Sequence, residues 1–563
     1  MFAIPFSALS ALLLLLSYLL PNHYLPWATF YNELLAFYAL LFALLSVARR
    51  SRLILSTPVI VLLIIATVPL LQWAFGTVLF FGDALMASLY LLGSAAAITV
   101  GLSGANKAVA RNGLETVAWT MLGAAVVSTC IALCQWLLIA KGLFVVELPI
   151  GGRPYANLAQ PNNLATLLSM ALVAALYLYE IRKLGAWTGA LLAFFLLFGL
   201  ALTQSRTPWL ASLAISFFWW LKAAQCGVRV SPRLMMSWCG IYGLLVFALP
   251  NLSEALLLTS SNPLQRAQSL HRLDLWWQLF QAILQGSLWG YGWNQVSIAQ
   301  VSVSLAFPVQ LMTEHSHNIL LDLLLWNGPV LGGVIIVFLI AWLGRLAWRL
   351  RTVDSLCCLL SIGVVLTHGM LEFPLEYAFF LLPVGLLLGV VTAEVSTGLH
   401  ILIPRYLVMG IVLLWAGLLG WIWHEYRVLE EDHRLMRFET AGIGTLKATQ
   451  AAPNVLLLTQ LREFIRYART PAAEGMDAGQ LEWMKKVAHR HPYSPSLSRY
   501  ALALALNGQP DNANRQLLII RSLHGAEPYN EAVQAFRALR DKYPQPHVMS
   551  TPVAPSHANV SAP

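Results

Sequence analysis

Long apolar stretches separated by short polar breaks dominate the chain. They fall near residues 2–20, 27–47, 53–73, 84–103, 114–140, 162–181, 187–203, 207–224, 234–250, 318–343, 355–371, 374–393 and 402–423. Each is close to the ~20 residues that a helix needs to cross the hydrocarbon core of a bilayer. Lipid offers no partners to backbone N–H and C=O groups, so runs of this kind are expected as helices. The first run has no basic flank and no small-residue cleavage site. It reads as a retained helix rather than a signal peptide.

The breaks alternate in charge. One set holds Arg49, Arg50 and Arg52; Lys107 and Arg111; Arg182 and Lys183; Lys222, Arg229 and Arg233; Arg345, Arg349 and Arg351; and Arg405. The opposite set, up to Trp423, holds only Lys141, Arg153, Arg206, Arg266 and Arg272. Basic loops stay on the cytoplasmic side. The N-terminus is therefore expected inside and everything beyond Trp423 outside. The pattern predicts an all-α, polytopic integral membrane protein of about thirteen transmembrane helices.

Two outward segments are long. Residues 251–317 form a large loop in which Leu273, Trp276, Trp277, Phe280, Ile283 and Leu284 recur at helical spacing. Asp274, Gln278, Gln281 and Gln285 lie between them. This predicts an amphipathic helix on the membrane surface. Gly290-Tyr291-Gly292-Trp293 then predicts a turn. The chain divides accordingly into residues 1–250 with the first nine spans, the 251–317 loop, 318–423 with the last four spans, and an outward helical domain over 424–543. Within that domain, Tyr500 to Pro510 resembles the turn of a tetratricopeptide helical hairpin. The stretch 544–563 is rich in Pro, Ser and Ala and is expected to be disordered.

Composition agrees with a membrane solvent. Hydrophobic residues make up 58% of the chain and charged residues 11%, against about 25% charged in soluble domains. The net charge of +9 is spread over loops, so membrane lipids are expected partners and nucleic acid is not. The six cysteines lie in or beside apolar runs without a CxxC pair, which predicts neither a disulfide framework nor a zinc site. Cys130 and Cys134 are expected as small core residues. No cofactor is implied.

Candidate chemistry concentrates on the basic-poor side. Arg153, Gln160, Asn162, Asn163, Gln204, Arg206, His271, Arg272, Glu314, His315, His317, His368, Glu372 and Glu376 come from five separate outward segments. Ionisable groups at the membrane are costly and mark functional sites. Arg206 opens a span in Thr-Gln-Ser-Arg-Thr-Pro-Trp, where free helix amides favour an anion. Arginine binds phosphate oxygens bidentately, so outward arginines at the lipid boundary suit a lipid diphosphate. The alternative is that each snorkels to headgroups. His317 could act as a base near neutral pH. Glu314 or Glu372 could orient it or be the base instead. His315 and His317 are two apart and HExxH is absent, which argues against a shared metal.

Glu314-His-Ser-His-Asn-Ile-Leu-Leu-Asp-Leu-Leu-Leu-Trp-Asn-Gly328 resembles the His-Asn motif of the O-antigen ligase and polymerase superfamily. Gly152-Arg-Pro-Tyr-Ala-Asn-Leu-Ala-Gln-Pro-Asn-Asn-Leu-Ala165 resembles the signature of one branch, the bacterial protein O-oligosaccharyltransferases that glycosylate pilins. So does His368-Gly-Met-Leu-Glu-Phe-Pro-Leu-Glu-Tyr377 with its continuation to Pro383. Thr203-Gln-Ser-Arg206 and Arg272-Leu-Asp-Leu-Trp276 match arginine positions of the superfamily.

The resemblance implies an undecaprenyl-diphosphate-linked oligosaccharide donor on the periplasmic face and a Ser or Thr acceptor on an exported protein. It implies that Arg206 and Arg272 hold the diphosphate and that His317 is the catalytic histidine. Gln160, Asn162 and Tyr377 would shape the pocket, with Arg153 and His368 beside them. No outward Asp-x-Asp pair is present to hold a divalent cation, so metal-independent transfer is expected; a single displacement would invert the anomeric centre. An O-antigen ligase acting on lipid A core or a glycan polymerase is the alternative. A lipid-linked sugar transporter is a further one, but it would place its polar residues near the bilayer midplane.

Overall fold

The computed structural model describes residues 6–21, 23–50, 53–103, 107–148, 151–256, 258, 271–395, 400–443 and 451–540. The expected disordered stretch 544–563 lies outside these residues, as does Arg266. Every expected span carries helix. Among the described residues, nine helices are long and apolar enough to cross a membrane. Phe6–Leu19, Ala186–Leu202 and Val353–Gly369 are apolar but shorter. Thr207–Cys226 has the length but carries Lys222 and Gln225 near its end. Prolines open several of these helices, among them Pro161, Pro208 and Pro232. Proline lacks the N–H that a first turn cannot satisfy anyway.

One departure from an all-helical chain is a short ribbon. Leu53–Ser56 pairs antiparallel with His400–Ile403, Leu53 opposite Ile403. Both strands sit at the starts of runs expected as helix. Three apolar residues with one polar neighbour, beside a longer apolar run, carry no periodicity that separates strand from helix. Beside the ribbon, the Arg405 guanidinium donates to the Ala48 carbonyl at 3.0 Å. Cys130 also departs from expectation: it is exposed on its helix rather than in the core.

The helix Ala378–Val395 packs closely along Phe81–Leu102. Small residues allow the approach. A methyl at Gly101 would overlap the Leu386 carbonyl, and one at Gly389 would overlap the Ile98 carbonyl. Gly385 faces Ala97 in the same seam. Helices in lipid gain little from hydrophobic burial against each other, so small residues and close contact take over that role.

The Ile319–Arg349 helix breaks at Gly328, whose φ of 74° and ψ of 169° are non-helical. Pro329 follows without an N–H to donate. The break frees carbonyls upstream, and the Gly-Tyr-Gly-Trp turn accounts for two of them. The Tyr291 N–H donates to Leu325 O at 2.8 Å and the Gly292 N–H to Trp326 O at 3.1 Å. Trp293 stacks on Trp326 at 4.7 Å and donates to Asn327 Oδ1 at 2.9 Å. A side chain at Gly290 would meet the backbone of Gly328.

The expected loop helix is present as His271–Gln285, and it is apolar on two faces. Leu275, Leu279, Ala282 and Ile283 are buried against the protein. Leu273, Trp277, Phe280 and Leu284 are exposed, as an interfacial helix requires. Gln278, read from the sequence as part of the polar face, is instead buried. It donates to the Phe307 carbonyl at 2.5 Å and accepts from Gln300 at 3.0 Å.

Beyond the last span, the helix Arg405–Thr440 runs without interruption through residue 424. Five further helices follow: Thr459–Arg469, Ala478–Arg490, Ser494–Leu506, Pro510–His524 and Ala526–Arg540. Ser494–Leu506 and Pro510–His524 form the expected hairpin around Gly508, whose φ is 74°. Their core includes Phe80 and Val301 from outside the domain. Arg469 anchors it through buried pairs with Asp432 at 2.8 Å and Glu439 at 2.9 Å.

The glycine seam yields a stability prediction. Replacing Gly389 by Leu should destabilise the protein by roughly 1–3 kcal/mol or more, the usual range for overpacking. The thermal midpoint of the purified protein in detergent measures this. A midpoint equal to wild type would contradict the close packing.

Candidate active site

The loop before the Ile319–Arg349 helix is fixed from several directions. Gln300, fully buried, donates to Leu311 O at 2.8 Å and accepts from the Thr313 N–H at 3.0 Å. The Ser316 N–H reaches Asp322 at 2.9 Å, and Trp276 donates to the Ser316 carbonyl at 2.9 Å. Asn318 caps the helix, accepting from Leu320 at 3.0 Å and Leu321 at 3.3 Å. Between these ties, His317 adopts a φ of 58°. Left-handed backbone is uncommon for a residue with a Cβ, and it concentrates at functional sites where surrounding contacts hold it.

Opposite this loop, the Val353–Gly369 helix carries His368 in its last turn, and Pro374–Glu376 forms a single 3-10 turn. The two segments meet through two histidine–carboxylate pairs. His317 Nδ1 lies 2.6 Å from Glu372, and His315 Nδ1 lies 2.9 Å from Glu376. The Phe373 ring stacks on His315 at 4.3 Å and leans on His317 at 5.4 Å.

Glu372 is the centre of the cluster. One oxygen takes His317. The other takes the Arg272 guanidinium and the Asn162 amide, the latter at 3.3 Å. Burial pushes the carboxyl upward. The His317 hydrogen bond and the Arg272 charge overcome this and hold it below the ordinary carboxylate range. An ionised carboxylate can only accept. In the neutral ring, His317 therefore carries its proton on Nδ1, and Nε2 keeps a lone pair. A base oriented by a carboxylate, beside a guanidinium, is an arrangement that can activate a hydroxyl next to a departing anion.

The remaining sequence-predicted residues surround this cluster or lie apart from it. His368 is buried and bonded to Thr166 Oγ1 at 2.7 Å. Tyr377 stacks on Phe379 at 5.2 Å, close behind Phe373. Gln160 precedes the first turn of Pro161–Glu180, two residues from Asn162. The Arg153 guanidinium donates to the Gln204 carbonyl at 3.5 Å. That contact joins the Arg153 loop to the segment that ends in Arg206, which is exposed at the start of Thr207–Cys226. Glu314 does not approach His317 as an orienting acid. It accepts from the Tyr493 hydroxyl at 2.6 Å and lies 3.8 Å from His491.

Sequence reasoning missed Phe373, Thr166 and the pairing of His315 with Glu376. The spacing held a signal for the last. His315 and His317 are two apart and Glu372 and Glu376 four apart, so an extended loop facing a turn can match both pairs. Among the described residues, no group of three His, Cys, Asp or Glu side chains is placed to hold a metal ion.

Comparison with known proteins gives a consistent set. Residues 154–179 match the family described as protein glycosylation ligase. Residues 191–337 match O-antigen ligase, and 356–538 match the C-terminal part of a virulence factor membrane-bound polymerase. A general O-oligosaccharyltransferase of Acinetobacter baylyi is 31% identical over 526 residues, 92% of each chain. A ComP-specific O-oligosaccharyltransferase of the same organism is 26% identical over 395 residues, covering 69% of this chain and 71% of the relative. No solved structure matches.

The His315–Glu376 pair has a pH signature. Burial alone would lower the imidazole, but the Glu376 carboxylate outweighs it and lifts the pKa to about 9. Its contribution is fully present below the ordinary histidine value of about 6.5 and is lost as pH rises through about 9. His315→Gln should therefore lower the thermal midpoint at pH 6, through a stability loss on the order of 3 kcal/mol at most. The gap from wild type should close by pH 10. A gap independent of pH would contradict the pair.

Proposed function

This chain belongs to the O-oligosaccharyltransferase family of protein glycosylation ligases, and we propose that it moves a glycan en bloc from undecaprenyl diphosphate to Ser or Thr of exported proteins such as pilins. It is a multi-pass membrane glycosyltransferase. The observation that carries the reading is the shared Glu372 carboxylate, with His317 at 2.6 Å on one oxygen and Arg272 on the other.

In this mechanism the acceptor hydroxyl gives its proton to Nε2 of His317. Its oxygen attacks the anomeric carbon from the face opposite the lipid diphosphate. The carbon–oxygen bond to phosphate breaks, and the diphosphate departs with the electron pair. Glu372 holds the imidazole tautomer and stabilises the imidazolium that forms. Arg272, half-exposed, faces the developing phosphate charge. On the same reading Arg206 and Arg153 supply further positive charge for the diphosphate. Preorganised donors of this kind contribute about 3 kcal/mol each or more. Asn162, Gln160 and Tyr377 line the approach, and the buried His368 backs them. One displacement inverts the anomeric centre, and the charge balance needs no metal.

The exposed apolar face of His271–Gln285 supports a donor that arrives in the membrane. It seats Arg272, in the first turn of that helix, at the lipid boundary. The alternation of basic loops supports the reading that this side faces outward, at the periplasmic face of the inner membrane, with the N-terminus in the cytoplasm. The match to O-antigen ligase over residues 191–337 favours a second acceptor, lipid A core, which the same assay separates.

Transfer in proteoliposomes supplied with lipid-linked glycan tests the reading. His317→Ala should lower glycan transfer to the exported protein by about 10²–10⁴-fold, the range for general acid–base catalysis, at equal membrane abundance. Wild-type activity should persist in EDTA. Glycan on lipid A core instead would establish the second acceptor, and an active His317→Ala would overturn the site.

A further inference from the structure

The C-terminal helices meet the histidine loop at Met312, which packs on their core, and at Glu314. Glu314, three residues before His317, accepts from the Tyr493 hydroxyl at 2.6 Å and lies 3.8 Å from His491. Both partners sit between Ala478–Arg490 and Ser494–Leu506, more than 170 residues away in the chain. Their own positions are fixed. Arg490, buried, grips Asp83 at the start of Phe81–Leu102 through two bonds, at 3.1 and 3.2 Å. Ser297 in the Val296–Val303 helix donates to the Arg490 carbonyl at 2.8 Å, and Ser522 to the Ser304 carbonyl at 2.5 Å. His524 bonds to the Pro492 carbonyl at 2.7 Å. Phe464 packs edge-on against the His491 ring at 5.0 Å. The tail thus offers Glu314 a rigid mount.

The loop needs one. His317 holds a left-handed backbone, and Thr313 donates to the His315 carbonyl. A residue in that conformation relaxes unless both flanks are held. Asn318 and Asp322 hold the downstream flank. Upstream, Gln300 ends its hold at Thr313. Glu314 is the next residue, and the C-terminal domain supplies its partners.

We propose that Tyr493 and His491 are positioning residues of the transferase site, which act through Glu314 to fix the turn that aims His317. This rests on His317 being the base. The C-terminal domain then completes the site instead of only decorating the membrane helices. Glu314 is held ionised for this role: burial raises its carboxyl, and His491 with Arg490 more than reverses that.

The test uses the full-length protein in proteoliposomes. Tyr493→Phe keeps the ring and removes the donor. It should lower kcat roughly tenfold, as loss of a hydrogen bond to a charged group implies. The KM for the acceptor and the thermal midpoint should stay near wild type. Glu314→Ala should behave alike, and the double variant should be no worse than Glu314→Ala alone, because both remove one bridge. Glu314→Gln, which retains an acceptor for Tyr493, should recover part of kcat. Wild-type kcat in Tyr493→Phe, or losses that multiply in the double variant, would overturn the proposal. A kcat loss that only tracks the thermal midpoint would also overturn it. His317→Ala in the same series separates the two readings. If it is inactive while Tyr493→Phe is normal, only the positioning role fails; if it is active, the base assignment itself fails.

Discussion

A single buried carboxylate organises the polar cluster of this protein. Glu372 receives His317, Arg272 and Asn162, which belong to three different stretches of the chain. A charge placed there without partners would be expensive, since burial favours the neutral acid. The guanidinium and the imidazole make the ionised form the stable one. Each partner is therefore required by the others: the histidine tautomer, the arginine placement and the acid's charge are one electrostatic solution. Removing any one of the three leaves the other two with an uncompensated polar group.

The membrane scaffold places those stretches together by interrupting its own regularity. A continuous helix from Ile319 to Arg349 would leave no freed carbonyls for the loop to grasp. The break at Gly328 and Pro329 releases them, and the Gly290–Trp293 turn captures two. That contact ties the loop to the same helix that Asn318 caps. The seam of Gly101, Gly385 and Gly389 brings Ala378–Val395 against Phe81–Leu102. The first of these helices begins beside Tyr377 and the second beside the Asp83 anchor of the tail, so one close helix pair sets two sides of the site.

The family match covers nearly the whole chain, and the structure gives a physical reason for it. The residues that converge come from residues 162, 272, 317 and 372, with the tail contact at 493. No excised portion contains the site. The C-terminal helices share a hydrophobic core with Phe80 and Val301, so they are part of the same packed body as the loop that presents His317.

The sequence alone determined what the bilayer dictates. Apolar run lengths, the alternation of basic loops and the crowding of polar residues on one side all follow from solvation, which acts residue by residue. The loop helix at His271–Gln285 and the hairpin around Gly508 were legible for the same reason. Tertiary structure decided the pairings. Nothing local distinguishes Glu314 from Glu372 as neighbours of His317, since both are acids in polar breaks between apolar runs. Contact with Tyr493 turns one away, and the His368–Tyr377 turn brings the other in. Gln278 reads as a surface residue and becomes a buried bridge because Gln300 and Phe307 meet it there. The ribbon of Leu53–Ser56 with His400–Ile403 escaped notice because strand pairing is a long-range contact, and a four-residue strand does not announce a partner almost 350 residues away.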